Sequence, residues 1–267
     1  MTADIHLNPA AAELRPVLEA IMEQHRSRWG DSEEWEALAD FQRELGKAGW
    51  GAMQWPVEIG GRGLGVVDTL ACDAEFARVD APKRVAVYGT NNVGPTIASF
   101  GTDQQKVHLA AILSGDEFWC QGFSEPDYGS DLAGLRTRAD ITDDGFIVNG
   151  QKVWTSIGMH ASHCMLLVRT DPDAAKHAGI SALLVPMDTP GLTRRPIKQI
   201  NGESEFAELF FEDMFVPKSA LLGPLHEGWR ITMATLGFER AGVISLAGKL
   251  ATDIKDMTFS AAVANAS

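Results

Sequence analysis

The spacing of apolar residues changes twice along this 267-residue chain, and these changes constrain its fold more than any other feature. Up to about residue 117 apolar side chains recur at helical spacing. From Phe118 the period falls to about two, which is typical of strands, and from about His226 the helical period returns. The sequence therefore predicts an α+β chain with three parts: an all-helical domain over 1–117, a β-domain over 118–224, and the first helix of a C-terminal helical domain over 225–267.

Local capping signals predict the ends of helices in the first part. Asp31 and Glu34 have the spacing of a capping box, and Gly49 is a typical helix terminator. Thr102 and Gln105 form a second capping box. Helices are also expected at about 67–79 and 83–100, with Asn91–Pro95 interrupting the pattern of the latter. A further helix is expected to open at the Thr102–Gln105 capping box and to close at Gly115.

The second part consists of short segments with strand periodicity, separated by turn signals. Asp144-Gly145 and Asn149-Gly150 predict two tight hairpins, and Thr189–Gly191 and Asn201-Gly202 predict further turns. Many short strands without intervening helices indicate a small antiparallel barrel or sandwich. The expected strands are Phe118–Phe123, Leu135–Thr142, Phe146–Val148, Lys152–Thr155, Cys164–Thr170, Ile180–Pro186 and Phe206–Phe215.

Charge and composition argue against several classes of function. A formal net charge of −13 disfavours binding to nucleic acid or to an anionic membrane surface. We expect neither a transmembrane helix nor a secretory signal, because the chain lacks the apolar runs that both require. The three cysteines are far apart, so we expect no disulfide framework and a reduced, cytoplasmic setting. No further ligands are grouped with His160 and His163, so no metal site is expected and these histidines are predicted at the surface or in structural roles.

Two short polar segments carry the residues best suited to binding a ligand. Gln121–Asp131, with the sequence QGFSEPDYGSD, has the composition of an ordered loop, and backbone N–H groups near Gly129 and Ser130 are suited to an anion-binding nest. Lys152–Ser156, with the sequence KVWTS, places an indole beside two hydroxyls, which suits a flat aromatic ligand. Because the hairpin signals lie between them, we expect the two segments to converge on one side of the sheet.

The flavin-binding signature of the acyl-CoA dehydrogenase family resembles two stretches of this chain, Gln121–Asp131 and Asn149–Ser156. The second stretch contains Lys152–Ser156. Trp55–Gly63 and Gly101–Lys106 resemble the same family, so the likeness extends over about 49–248. It implies a helical N-terminal domain, a β-sheet middle domain and a C-terminal helical bundle, of which this chain is expected to contain only the opening.

The resemblance implies FAD as the cofactor. Ser124 would bond the pyrimidine edge of the isoalloxazine, Trp154 would cover one of its faces, and Thr155 or Ser156 would bond near N5. Gly129 and Ser130 would approach the pyrophosphate and the pantetheine arm of an acyl-CoA. The implied cofactor-binding residues are Gln121, Phe123, Ser124, Gly129, Ser130, Trp154, Thr155 and Ser156.

The implied reaction is α,β-dehydrogenation of an acyl-CoA thioester, in which a carboxylate removes the α-proton. The usual family base would lie beyond the end of this chain, which leaves Glu239, before Arg240, as the candidate base. An ordinary Glu-Arg pair on a helix is the alternative for these two residues. The implied substrate-binding residues are Ser130, Gly237, Phe238, Glu239 and Arg240.

Full-length relatives are expected to be homo- or hetero-oligomers that pass electrons to an electron-transfer flavoprotein. Three alternatives stay open. The chain is a non-catalytic or incomplete subunit that needs a partner, it is an acyl-CoA oxidase or flavin monooxygenase on the same fold, or it is a fragment of a longer reading frame.

Overall fold

A computed structural model describes residues 8–239, which divide into two compact units. The first comprises 8–84, 113–115 and 238–239, and the second comprises 85–112 and 116–237. The domain boundaries expected near 117 and 224 remain predictions.

Helices build the first unit. Its core contains Leu14 and Leu18 from the first helix and Phe41 and Leu45 from the second, and all four side chains are fully buried. Helical spacing on each element therefore directs one apolar stripe into one shared core. The helices are α1 (Pro9–Trp29), α2 (Trp35–Lys47) and α3 (Val66–Arg78).

The two ends of α2 differ in how well the sequence predicts them. The capping box expected at Asp31 and Glu34 is wrong, because Glu34 is the N-cap and its side chain makes no capping bond. The Glu34 amide instead donates to the hydroxyl of Ser32. The terminator is confirmed: Gly49 adopts a φ of 75° and its N–H donates to Gly46 O.

In the second unit the helical segments begin later than expected. Helix α4 (Gly94–Phe100) follows a π-helical turn at Tyr88–Val93, so the predicted interruption near Asn91 is a wider turn rather than a break. The second capping box is confirmed, because the Thr102 amide donates to Gln105 Oε1 and the Gln105 amide donates to the Thr102 hydroxyl. Helix α5 (His108–Ser114) follows, and a last helix, α6, occupies 228–239.

One 8-stranded sheet forms the rest of this unit, with the order β6-β7-β3-β2-β4-β5-β8 and with β1 paired to β4. Most pairs are antiparallel, as predicted, but β1 and β2 both pair with β4 in parallel. The strands are β1 (Trp119–Gly122), β2 (Arg138–Ile141), β3 (Gly145–Ser156), β4 (His163–Arg169), β5 (Ile180–Pro186), β6 (Leu192–Ile197), β7 (Phe206–Pro217) and β8 (Leu221–Leu222).

Strand β3 corrects one prediction. The hairpin at Asp144-Gly145 is confirmed, but Asn149-Gly150 lies inside β3 and joins the two strands that were expected to be separate. Gly150 has a φ of 148° and marks a shift in register with β7, which is a β-bulge. A Cβ at this position would lie 2.7 Å from Thr137 Cα, so only glycine fits.

The short outer strands were not predicted. Strand β6 contains Thr193-Arg194-Arg195-Pro196 and lacks apolar alternation, because it pairs only with β7 and its side chains are largely exposed. Strand β8 is two residues long. Every helix within 8–239 is too short or too polar to span a lipid bilayer.

A buried histidine in α1 makes the stability of the first unit depend on pH. Neither ring nitrogen of His25 has a hydrogen-bond partner among the described residues, and its ring packs edge-on against Phe41. Burial lowers the pKa of His25, and the Asp40 carboxylate only partly opposes that shift. The folded state therefore binds its proton at lower pH than the unfolded state does.

We expect the free energy of unfolding to fall as the pH decreases below the ordinary histidine pKa of about 6.5, by at most about 1.4 kcal/mol per pH unit from this residue. His25→Met removes the titrating group and should flatten that dependence. Urea unfolding of both proteins between about pH 7 and pH 5 measures it. Equal slopes in the two proteins would contradict the assignment.

Candidate functional site

The two polar segments meet at the end of β3. The Val153 N–H donates to Ser124 O at 2.9 Å, and the Lys152 ammonium donates to Phe123 O at 2.9 Å. The predicted convergence is therefore confirmed, and these bonds fix the loop after β1 against the last residues of β3.

A buried ion pair sets the shape of this loop. The Lys152 side chain is fully buried, and its ammonium lies 2.9 Å from Glu125 Oε1. The Glu125 carboxylate also accepts bonds from the backbone N–H groups of Arg136 (2.7 Å) and Thr137 (2.8 Å). The Glu125 carboxylate thus connects the loop after β1 both to β3 and to the segment just before β2.

Electrostatics keep this carboxylate ionised. Burial alone would raise the pKa of Glu125, but the charge and hydrogen bond of Lys152, together with the backbone donors, hold it below its usual range. Burial lowers the pKa of Lys152, and Glu125 opposes that shift. Each partner thus supplies the counter-charge that water no longer supplies.

The loop itself is compact near Glu125 and open beyond it. Glu125 and Tyr128 exchange both backbone hydrogen bonds around a tight turn. Gly129 and Ser130 are exposed, and a Cβ at Gly129 would meet no atom within 4 Å. Gly129 does not have a positive φ, so the expected nest is not the kind that alternates right- and left-handed residues. The space above the two residues is open to a ligand.

Strand β3 ends in an unusual backbone conformation. Trp154 has a φ of 59°, which is a strained value for a bulky residue, and its indole is 59% exposed with only an edge contact to Phe206. Thr155 is fully buried and its hydroxyl has no hydrogen-bond partner within residues 8–239, whereas Ser156 is half-buried. Trp154 and Ser156 are therefore accessible to a ligand in this structure, whereas the Thr155 hydroxyl is buried. The cofactor roles of these three residues remain predictions.

Gln121, at the start of the loop, is held by a residue that the sequence did not assign. Its Oε1 accepts from Asn92 Nδ2 at 3.0 Å, while its Nε2 is buried without a hydrogen-bond partner in the part of the chain that the structure describes. Asn92 lies in the π-helical turn, and π-turns are frequent at functional sites. The break in helical periodicity at Asn91–Pro95 was the signal that could have identified it.

Basic side chains surround a cavity of about 310 Å³ beside the loop. Arg169 donates to the carbonyls of Ala133 and Ala178, which orders the cavity wall. Lys176 forms an exposed ion pair with Asp131 at 2.6 Å. The basic residues of the lining are Arg136, Arg138, Arg169 and Lys176.

The expected substrate residues near the C-terminus lie in or after α6. Gly237 is exposed, and Phe238 and Glu239 are half-buried. Arg240 lies outside the described residues. Helix α6 contacts α4 in its second half, where the hydroxyls of Thr96 and Thr235 are 2.9 Å apart. The roles of these residues remain predictions.

Comparison with known proteins identifies two family models in the chain. Acyl-CoA dehydrogenase, N-terminal domain, matches residues 9–116, and Acyl-CoA dehydrogenase, middle domain, matches residues 120–214. The chain is 45% identical to acyl-CoA dehydrogenase IpdE1 of Mycobacterium tuberculosis over 217 residues, covering 81% of this chain and 56% of that protein. It thus spans about half the length of the curated relatives that it matches.

Two solved structures resemble the fold described above. The Tcur3481-Tcur3483 steroid ACAD is 32% identical, covers 97% of this chain and 68% of that chain, and has a TM-score of 0.82. A glutaryl-CoA dehydrogenase from Mycobacterium smegmatis, solved in complex with FADH2, is 28% identical, covers 93% of this chain and 62% of that chain, and has a TM-score of 0.71.

Removing one partner of the buried ion pair should destabilise the protein strongly. We expect Lys152→Met to lower the free energy of unfolding by about 3–5 kcal/mol, because Glu125 would stay buried without a cation. Adding Glu125→Gln should cost less than the sum of the two single changes, by about 1–3 kcal/mol. Urea unfolding measures each value.

Lys176→Met is the matched control, since its ion pair with Asp131 is more than half exposed on both sides. This change should cost less than about 1 kcal/mol. An equal loss from the two lysine substitutions would contradict the role given to the buried pair.

Proposed function

The chain belongs to the acyl-CoA dehydrogenase family, and from that premise we propose that it is part of an FAD-dependent enzyme that dehydrogenates an acyl-CoA thioester between its α and β carbons. The observation that carries this proposal is the exposed, strained Trp154 beside Ser156 and the Ser124 loop. A flat ring system that covered Trp154 would bury an apolar face that water now contacts.

The accessible residues of both segments fit the cofactor. We assign the ring face to Trp154 and the contact near N5 to Ser156 rather than to Thr155. Ser124 would bond the pyrimidine edge, and Phe123 would shape the site through its backbone. Gln121 holds the start of the loop, and Gly129 and Ser130 leave room for the pyrophosphate and the pantetheine arm. When bound, FAD supplies the two-electron acceptor that dehydrogenation requires.

The remaining chemistry belongs to side chains. Glu239 would take the α-proton onto its carboxylate, and Gly237, Phe238 and Arg240 would line the acyl-CoA. Hydrogen bonds to the thioester carbonyl would be needed to make that proton acidic enough. The basic cavity at Arg136 and Lys176 is suited to phosphate groups of the CoA moiety.

We further propose that an electron-transfer flavoprotein accepts the electrons and that the enzyme works as an oligomer, as the family resemblance implies. A cytoplasmic location is supported by Cys72, Cys120 and Cys164, all of which are free and buried thiols.

The first experiment is titration of the purified chain with FAD, followed by visible absorption and flavin fluorescence. Trp154→Gly should weaken binding by about tenfold or more, since loss of one aromatic face costs about 1–3 kcal/mol. Its free energy of unfolding should stay within about 1 kcal/mol of the parent value, because glycine relieves the strain at a positive φ. Trp229→Phe, which changes a tryptophan in contact with His177, is the control and should leave FAD binding unchanged.

The neighbouring hydroxyls give a second matched pair. Ser156→Ala should weaken FAD binding about 3- to 10-fold through a lost hydrogen bond, whereas Thr155→Val should leave it unchanged because that hydroxyl is buried and unpaired. The opposite ranking would assign the flavin contact to Thr155.

A third measurement tests Glu239. Acyl-CoA thioesters should bleach the bound-flavin spectrum of the parent chain but not that of Glu239→Gln, which should still bind FAD. The panel should include a steroid acyl-CoA, since one solved relative is described as a steroid ACAD. Bound flavin that no thioester bleaches in the parent chain would favour a subunit that needs a partner chain.

A further inference from the structure

A cluster of potential metal ligands lies at the start of β4, apart from the site described above. His108 begins α5, Glu117 precedes β1, and His163 begins β4. One nitrogen or oxygen atom from each of the three residues lies within 4.8 Å of the corresponding atoms of the other two. The sequence separates these residues by up to 55 positions, which is why it predicted no metal site at His163.

The distances within the cluster are close to those of a coordination sphere. His108 Nδ1 lies 2.9 Å from both carboxylate oxygens of Glu117, and His163 Nδ1 lies 3.8 Å from Glu117 Oε2. Ligand atoms bound to Zn²⁺ at about 2.0–2.1 Å in a tetrahedron lie about 3.3 Å apart. Small side-chain rotations therefore suffice to bring all three onto one ion.

Surrounding groups orient the ligands. The Trp119 indole N–H donates to Glu117 Oε2 at 3.0 Å, and the Trp119 ring stacks on His163 with centroids 4.7 Å apart. Such outer contacts fix ring and carboxylate orientation in protein metal sites. Trp119 is fully buried, so this frame is rigid.

The ligands are also accessible. The side chains of His108, Glu117 and His163 retain 26%, 19% and 20% of their solvent exposure, so an ion and a water molecule can reach them. Two imidazoles and one carboxylate form a donor set suited to a borderline divalent ion such as Zn²⁺.

We propose that His108, Glu117 and His163 bind a divalent first-row transition-metal ion, with Zn²⁺ the expected occupant and water as the fourth ligand. The ion would join the start of α5, the segment before β1 and the start of β4. The bound ion would thereby restrain the segment that leads into β1, the strand that contains Gln121.

The test uses the whole 267-residue chain after dialysis against EDTA. Isothermal titration with ZnCl2 should show one site, and the midpoint of thermal unfolding should rise with added Zn²⁺. CoCl2 should give the visible absorption bands of a tetrahedral Co²⁺ centre. His163→Gln and Glu117→Gln should each weaken Zn²⁺ binding by at least about tenfold and abolish the Co²⁺ bands.

His177→Gln is the matched control, because His177 contacts Trp229 and lies outside the cluster. It should bind Zn²⁺ and Co²⁺ like the parent chain. Far-UV circular dichroism checks that each variant is folded without metal. Zn²⁺ binding of equal strength in the parent and in His163→Gln would overturn the proposal, and so would a parent chain that binds no Zn²⁺, since the cluster would then be an ordinary ion pair.

Discussion

The buried Lys152–Glu125 ion pair is the interaction on which the rest of the site depends. Lys152 contributes a positive charge from β3, and Glu125 contributes a negative charge from the loop after β1. The Glu125 carboxylate also accepts hydrogen bonds from the backbone N–H groups of Arg136 and Thr137, just before β2. Two charges without water are costly, and their mutual attraction offsets that cost only if both stay in place. The ion pair therefore holds the loop in one conformation. This conformation positions the accessible groups of the loop.

The strain at Trp154 is consistent with the same constraint. Lys152 anchors β3 before Trp154, and the Ile157 N–H donates to Glu205 O after it, so the backbone between them cannot relax to an extended conformation without breaking one anchor. An exposed indole at a positive φ contributes little to stability. The proposed FAD would cover this indole, and this connects the fold to the proposed cofactor role.

Helix ends and most strands could be predicted from short-range patterns, as at Gly49 and in the Thr102–Gln105 capping box. The capping box at Asp31 and Glu34 failed for a local reason, because the Glu34 N–H bonds to the Ser32 hydroxyl. The larger errors arose where contacts between residues distant in the sequence decide the structure. Asn149-Gly150 has the local chemistry of a hairpin, but pairing with β7 keeps the chain extended and converts the glycine into a bulge. The burial of Lys152 and of Thr155, and the grouping of His108 with His163, depend on contacts across the sheet that no local pattern encodes. The two ligand-binding segments were predictable as candidates, whereas the interaction that holds them was not.

The pairing of β3 with β7 also has a consequence for how the chain is made. Both strands are long, and Gly145 of β3 pairs with Pro217 of β7. The edge of β3 that pairs with β7 therefore has no partner until β7 has been synthesised. Because translation proceeds at about 5–20 residues per second, this edge of β3 stays unpaired for several seconds during synthesis. During that time its backbone groups are open to pairing with another nascent chain. Conditions that slow translation between β3 and β7 would therefore favour aggregation during synthesis, even though the finished sheet protects the strand on both sides.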